Sequence, residues 1–311
     1  MLKNPFIAFL KLIRIENLLI IVLTQCCIQY VVLDDLIKFT HFNNFLFSIS
    51  LLSTVLIASA GYIINDYFDV KTDKINRPNT VVLDVVIKRR WAMVLHIVFN
   101  SLGLLLGIYL ALKCHHLKLA LFQLSSILLL WFYSTHFKKQ LLVGNIVVSC
   151  LTATIPLMPL FYNYYYTPEI SSMLLQTSGG LIKLAFYGVI GYSLFAFLTS
   201  LAREVIKDME DFNGDAQTGC KTMPIVWGIV TSKVFVFFVI IITIGMLLLV
   251  SLYFLKLHAL FSFYYILVLT VVPLLAIIFM IIKAKSNKDF KLVSILLKFV
   301  MLFGIAFTYF I

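Results

Sequence analysis

The sequence predicts an all-α integral membrane protein, with nine transmembrane helices around a central cavity and two cytoplasmic cap loops. Three observations predict it. Of the 311 residues, 62% are hydrophobic and only 13% charged, about half the charged share of an ordinary soluble domain, and the mean hydropathy is +1.02. Nine apolar runs approach the roughly 20 residues that a helix rising about 1.5 Å per residue needs to cross a bilayer. None of them alternates polar and apolar side chains in the ten-residue segments of a membrane β-strand. Such a composition excludes a disordered chain, a nucleic-acid-binding tail and an ordinary cytosolic enzyme.

In chain order the expected spans are Ile15–Leu33, Phe45–Asn65, Trp91–Leu112, Leu117–Tyr133, Leu141–Phe161, Leu184–Ala202, Val234–Leu255, Ala259–Ile282 and Leu292–Phe310. The first follows Lys11 and Arg14, which interrupt any cleavable signal. The second ends at Asn65-Asp66, and the third starts after Lys88-Arg89-Arg90. Lys138-Lys139 close the fourth. Pro156 and Pro159 lie in the fifth and Pro273 in the eighth, where they are expected to kink the helix. The sixth stops at Arg203, and the ninth follows four lysines between Lys283 and Lys291. The external stretch Asn163–Gly180 carries Tyr164, Tyr165 and Tyr166, rings that favour the headgroup zone.

Nineteen of the 25 basic residues fall on the side of the N-terminus. The positive-inside rule therefore places the N-terminus and the even-numbered connections in the cytoplasm, with the C-terminus outside. The net charge of +11 is read as setting this orientation. No nucleic acid and no obligatory protein partner are expected, only membrane lipid and lipophilic substrates. Cys26, Cys27, Cys114, Cys150 and Cys220 lack metal-ligand spacing and read as small apolar fillers. Residues 1–311 are expected to form one multi-pass domain.

Eight of the 14 acidic residues fall in two windows. One holds Asp66, Asp69 and Asp73. The other holds Glu204, Asp208, Glu210, Asp211 and Asp215. Stripped to aspartates, both read Asp-x-x-Asp-x-x-x-Asp, and offsets of three and four keep side chains on one helical face. Like charges at that spacing destabilise a helix unless they are neutralised. Oxygen ligands with no neighbouring His or Cys suit Mg²⁺, which takes one or two carboxylates together with phosphate oxygens. Ionisable groups at the edge of a membrane span point to function, although acids also sit on solvated helix ends. Arg77, Lys138, Arg203 and Lys207 lie where a diphosphate needs cations.

These motifs resemble the UbiA-type intramembrane prenyltransferase superfamily. Asn65-Asp66…Asp69…Asp73, continuing through Ile75-Asn76-Arg77-Pro78, is similar to its first signature. Asp211…Asp215, preceded by Asp208, is similar to the second, and Tyr133-Ser134…Lys138 with Gly144-Asn145 is a weaker third match. The stretch from Arg203 to Asp215 with Lys221-Thr222-Met223-Pro224 most resembles the digeranylgeranylglyceryl phosphate synthase-like branch. The chain departs from the family at Asn79-Thr80-Val81-Val82-Leu83-Asp84, where a basic residue and a Pro-Ser/Thr-Gly turn are usual.

The resemblance implies an enzyme that moves a polyprenyl group, such as geranylgeranyl, from its diphosphate to a lipophilic acceptor, with (geranylgeranyl)glyceryl phosphate one such acceptor. It implies Mg²⁺ held by Asp66, Asp69, Asp73, Asp208, Asp211 and Asp215, of which Asp66, Asp69, Asp211 and Asp215 are catalytic. Asn65, Arg77, Tyr133, Lys138, Arg203 and Lys207 would bind the diphosphate. Two other readings stay open: an aromatic-acceptor prenyltransferase of the 4-hydroxybenzoate or quinone type, and a secondary transporter with repeat-related carboxylates.

Overall fold

The computed structural model describes residues 4–34, 42–78, 81–175 and 180–310. Lys3 and Lys38 of the charge count, and Asn79 and Thr80 of the divergent loop, lie outside the described residues. Among the described residues nine helices are long and apolar enough to cross a membrane, as expected. The chain divides into two compact units, residues 1–138 with 154–189, and residues 139–153 with 190–311.

In the first unit, α1 (Pro5–Leu12) is a short helix capped by Asn4. It breaks at Arg14, and α2 (Ile15–Cys27) continues into a π-helical stretch, Ile28–Leu33. Helix α3 (Asn44–Asn76) starts where the Asn43 side chain accepts from the Leu46 N–H. It runs past the edge of the apolar span at Asn65 and carries Asp66, Asp69 and Asp73 on one helix, as their spacing predicts, because nothing between Asn65 and Asn76 breaks it. Asp66, Asp69 and Asp73 point to the half-buried side, whereas Lys71 and Lys74 are exposed. The helix stops at Arg77, whose backbone leaves the helical region (φ −145°, ψ 58°), as the following Pro78 disfavours α backbone at the residue before it.

The next helix, α4 (Arg89–Lys113), packs along α3 through small residues. Ser53 Oγ donates to the Gly103 carbonyl oxygen at 2.7 Å, and a Cβ on Gly103 would lie 3.2 Å from the Ser53 carbonyl oxygen. Close backbone approach of this kind drives helix association within a bilayer. The connection between them is a tight turn: Val81, Val82 and Leu83 are buried, Asp84 takes a φ of 66°, and its N–H donates to the Ile87 carbonyl at 2.9 Å. The divergent loop thus contributes core, with Val82 and Leu83 packed among Ala8, Leu12 and Ile63. Helix α5 (Lys118–Thr135) ends in a 3-10 turn, Phe137–Lys139.

Helices α6 (Val143–Tyr166) and α8 (Gly180–Glu210), separated by the short α7 (Pro168–Leu175), each contribute to both units. Pro156 and Pro159 lie inside α6, which remains one helix. Proline removes one intrahelical donor, and the Ile155 carbonyl that Pro159 leaves without its helical partner accepts from Gln25 Nε2 at 3.2 Å.

In the second unit α8 ends at Glu210. Asp211 bends the chain, and α9 (Phe212–Gln217) and α10 (Met223–Val226) follow. The second acidic window is therefore not one continuous helical face. Asp208 belongs to α8, Asp211 to the bend and Asp215 to α9. The break falls at Asp211, a residue type poorly suited to a helix interior, and Asn213 and Gly214 lie in the short helix that follows. Then come α11 (Gly228–Lys256), α12 (Leu260–Ile266) with a π-helical stretch Leu267–Val271, α13 (Val272–Lys283) and α14 (Asn287–Ala306). The wide turn directly precedes Pro273, at the head of α13. Ser286 and Asp289 form a capping box on α14. Val236, Leu274, Ile277, Val293 and Leu297 fill this unit's core.

Candidate active site

Each unit carries one acidic cluster, and each cluster is built around an asparagine that donates to an aspartate. In the first unit Asn65 Nδ2 donates to Asp69 Oδ2 at 2.6 Å, one helical turn along α3. Lys138 Nζ, delivered by the 3-10 turn after α5, donates to the same oxygen. Arg14 Nη2 donates to Asp66 Oδ1 at 2.7 Å, and its guanidinium lies 5.2 Å from the centroid of the Tyr62 ring. Arg14 has a φ of 51°, a left-handed conformation that a residue with a Cβ rarely adopts. The break between α1 and α2 lies at this residue, whose side chain pairs with Asp66.

Burial alone would lower the Lys138 ammonium, but the charge and hydrogen bond of Asp69, with Tyr133 and Asp73 adding, hold it well above the ordinary lysine range. Burial likewise opposes the charge on Arg14, and Asp66 more than restores it. Both groups are fixed cations at neutral pH. Arg77 caps α3, with its N–H on the Asp73 carbonyl at 2.8 Å, and is half-buried.

In the second unit Asn145 Nδ2 donates to Asp208 Oδ2 at 2.7 Å. Arg203 and Lys207, expected on phosphate, reach Glu204 instead. Lys207 Nζ donates to Glu204 Oε2 at 2.9 Å and Arg203 Nη1 to Glu204 Oε1 at 3.3 Å. Glu204 lies one helical turn before Lys207, within the i,i+3 reach of a helix face. Asp215 is buried, and its carbonyl accepts from the Cys220 N–H at 3.0 Å. The Lys221 N–H then donates to the Lys139 carbonyl at 2.9 Å, which ties this loop to the segment preceding α6.

Among the described residues no three His, Cys, Asp or Glu side chains gather tightly enough to enclose a metal ion. The donor set nonetheless fits Mg²⁺, which is satisfied by one or two carboxylates and fills its remaining positions with water and phosphate oxygens. Asn65 Oδ1 is a buried acceptor with no donor, on the amide whose nitrogen contacts Asp69; a cation meets that need. Arg203 Nε–H is a buried donor with no acceptor, and an anionic oxygen meets that one.

Two residues of these clusters were not singled out as site residues by spacing. Arg14 reads in the sequence as one more topogenic cation before the first span. Asn145 sits in the weaker third motif with nothing to mark its side chain. Only the fold brings Arg14 to a carboxylate 52 positions away and Asn145 to one 63 positions away.

Residues 36–303 match the model of the UbiA prenyltransferase family. The chain is 36% identical to the digeranylgeranylglyceryl phosphate synthase of Thermococcus sibiricus over 179 residues, 57% of this chain and 55% of that one. It is 33% identical to the synthase of the same name from Methanothermobacter thermautotrophicus over 233 residues, 74% of this chain and 69% of that one. The chain thus spans about half the length of the first of these curated relatives. A solved structure described as giving insights into digeranylgeranylglyceryl phosphate synthase in membranes superposes with a TM-score of 0.65 at 20% identity, covering 98% of this chain and 99% of the other. A UbiA homolog from Archaeoglobus fulgidus, bound to DMAPP and Mg²⁺, superposes with a TM-score of 0.56 at 17% identity, covering 96% and 98%. These likenesses establish the fold.

Proposed function

Because the chain belongs to the UbiA prenyltransferase family, we propose that it transfers a polyprenyl group from its diphosphate to a lipophilic acceptor in the membrane, with Mg²⁺ as cofactor. The acceptor is a (geranylgeranyl)glyceryl phosphate and the donor geranylgeranyl diphosphate. The names of the most similar relatives support this choice. The two units are halves of one domain, with both acidic clusters on the cytoplasmic side; the skew of basic residues towards the N-terminal side supports that orientation.

The observation that carries the reading is the repeated asparagine-to-aspartate contact, Asn65 on Asp69 and Asn145 on Asp208, each at the membrane edge of a long helix. Asp66, Asp69 and Asp73 from one cluster, and Asp208, Asp211 and Asp215 from the other, hold the metal. Asn65 and Asn145 orient their aspartates. Lys138, Arg77 and Tyr133 meet diphosphate oxygens on one side, and Arg203 and Lys207 do so on the other, with Glu204 holding both cations in place. When bound, Mg²⁺ stabilises the negative charge that develops on the diphosphate as the allylic C–O bond breaks. The fixed charges of Lys138 and Arg203 do the same without reorganising. The acceptor hydroxyl forms the new C–O bond, and diphosphate and a proton leave.

The test is product identity. Protein in nanodiscs is given Mg²⁺, geranylgeranyl diphosphate and, in parallel, geranylgeranylglyceryl phosphate or 4-hydroxybenzoate. The mass of the doubly geranylgeranylated glyceryl phosphate is expected. Exclusive formation of a prenylated aromatic overturns the acceptor, and no product with any acceptor overturns the activity.

A further inference from the structure

The 81–88 turn does more than fill core. It ends in three consecutive cations, Lys88, Arg89 and Arg90, and the structure uses them differently. Arg89 is engaged within the protein: Nε is 3.4 Å from Asp84 Oδ2, Nη2 donates to the Tyr67 carbonyl at 3.1 Å, and the guanidinium lies 5.1 Å from the centroid of the Tyr67 ring. Lys88 and Arg90 make no ion pair among the described residues. Both are exposed, and both line an open cavity of about 440 Å³ together with Pro5, Ile87, Trp91 and Leu95.

The cavity is shallow and largely open to its surroundings. Its walls divide by chemistry, with two unpaired cations against proline, aliphatic and indole surface. Around it Phe6, Ile7, Val85, Trp91 and Val94 are exposed. The place in the fold matters as much. Helix α4 starts here and enters the apolar span, so the cavity lies at the membrane surface on the end of the first unit where the acidic cluster of α3 lies. Exposed tryptophan is a marker of the headgroup zone, and basic pockets at that depth suit lipid headgroup phosphates. We infer that the cavity between α1, the 81–88 turn and the start of α4 binds an anionic glycerophospholipid, with its phosphate between Lys88 and Arg90 and its glycerol and upper acyl carbons against Pro5, Trp91 and Leu95.

This site is separate from prenyl transfer and holds whatever the acceptor proves to be. The full chain, purified in detergent, is titrated with phosphatidylglycerol or phosphatidylcholine and read by native mass spectrometry. Phosphatidylglycerol is expected to bind about fivefold more tightly, by roughly the charge of one basic residue near the surface. K88Q/R90Q is expected to lose roughly 30-fold in phosphatidylglycerol binding, while K88R/R90K keeps the preference. Equal binding of the two lipids by the wild type overturns the site, as does undiminished preference in K88Q/R90Q. A second readout needs no charge variant: phosphatidylglycerol brominated near the glycerol should quench the Trp91 emission, taken as the difference between wild type and W91F. Absence of that quenching overturns the placement. Displacement of the lipid by inorganic phosphate at equal concentration would mean an ion site without a lipid.

Discussion

Arg14 Nη2 lies 2.7 Å from Asp66 Oδ1, a contact that joins the break between the first two helices to the acidic end of α3. Asp66 shares its helix face with Asp69 and Asp73, so the guanidinium neutralises a charge that its neighbours repel. The left-handed backbone at Arg14 is a local cost that this pairing offsets.

Arg14→Gln is therefore expected to destabilise the protein by about 1.5–3 kcal/mol, the range for a hydrogen bond to a charged group. Thermal unfolding in detergent measures it. Added Mg²⁺ should raise the midpoint of the variant more than that of the wild type, because it supplies the missing charge. An unchanged midpoint without Mg²⁺ would contradict the account.

Lys138 gives a pH prediction. Its folded pKa is raised, so the stability it contributes is fully present below the unfolded lysine value of about 10.4 and is lost only as pH rises through the folded value. The difference in unfolding midpoint between the wild type and K138Q should therefore stay flat from about pH 8 to 9.5, above the titration of the neighbouring carboxylates. A difference that shrinks steadily across that window would mean that the ammonium titrates there.

Gln25 tests how α6 tolerates its prolines. Its side chain donates to the carbonyl that Pro159 leaves without a helical partner. Gln25→Leu is expected to cost roughly 1 kcal/mol, in line with side-chain hydrogen bonds within membranes. In the Pro159→Ala background the backbone N–H returns, and the same substitution should cost measurably less. Equal costs in both backgrounds would show that the carbonyl does not depend on Gln25.

The spans were legible because apolar length is nearly all that a bilayer demands of a helix. Their ends were less so. The sequence places the edge of the second span at Asn65, where the apolar run stops, yet α3 continues to Asn76, since a helix needs only the absence of breakers and not a lipid environment. Asp-x-x-Asp-x-x-x-Asp spacing read the first cluster as one helical face and the second likewise, but Asp211 sits at a bend. Equal spacing in sequence does not carry equal backbone. The partners of the carboxylates were the least legible. Arg14 on Asp66 and Asn145 on Asp208 depend on which helices pack together and which rotamers they leave.

In the proposed reaction each acidic cluster is needed for transfer of the prenyl group. The most direct measurement is transfer of labelled geranylgeranyl from its diphosphate in nanodiscs, for the wild type, D69N, D211N and the double variant, each with Mg²⁺ and with EDTA. Each single variant is predicted to lose about 10²–10³-fold, the scale of one electrostatic contact in the transition state. The double variant should be scarcely worse than either, since residues acting as a unit are strongly non-additive, and EDTA should abolish the wild-type reaction. Wild-type turnover by D69N or by D211N, or undiminished transfer in EDTA, would contradict it.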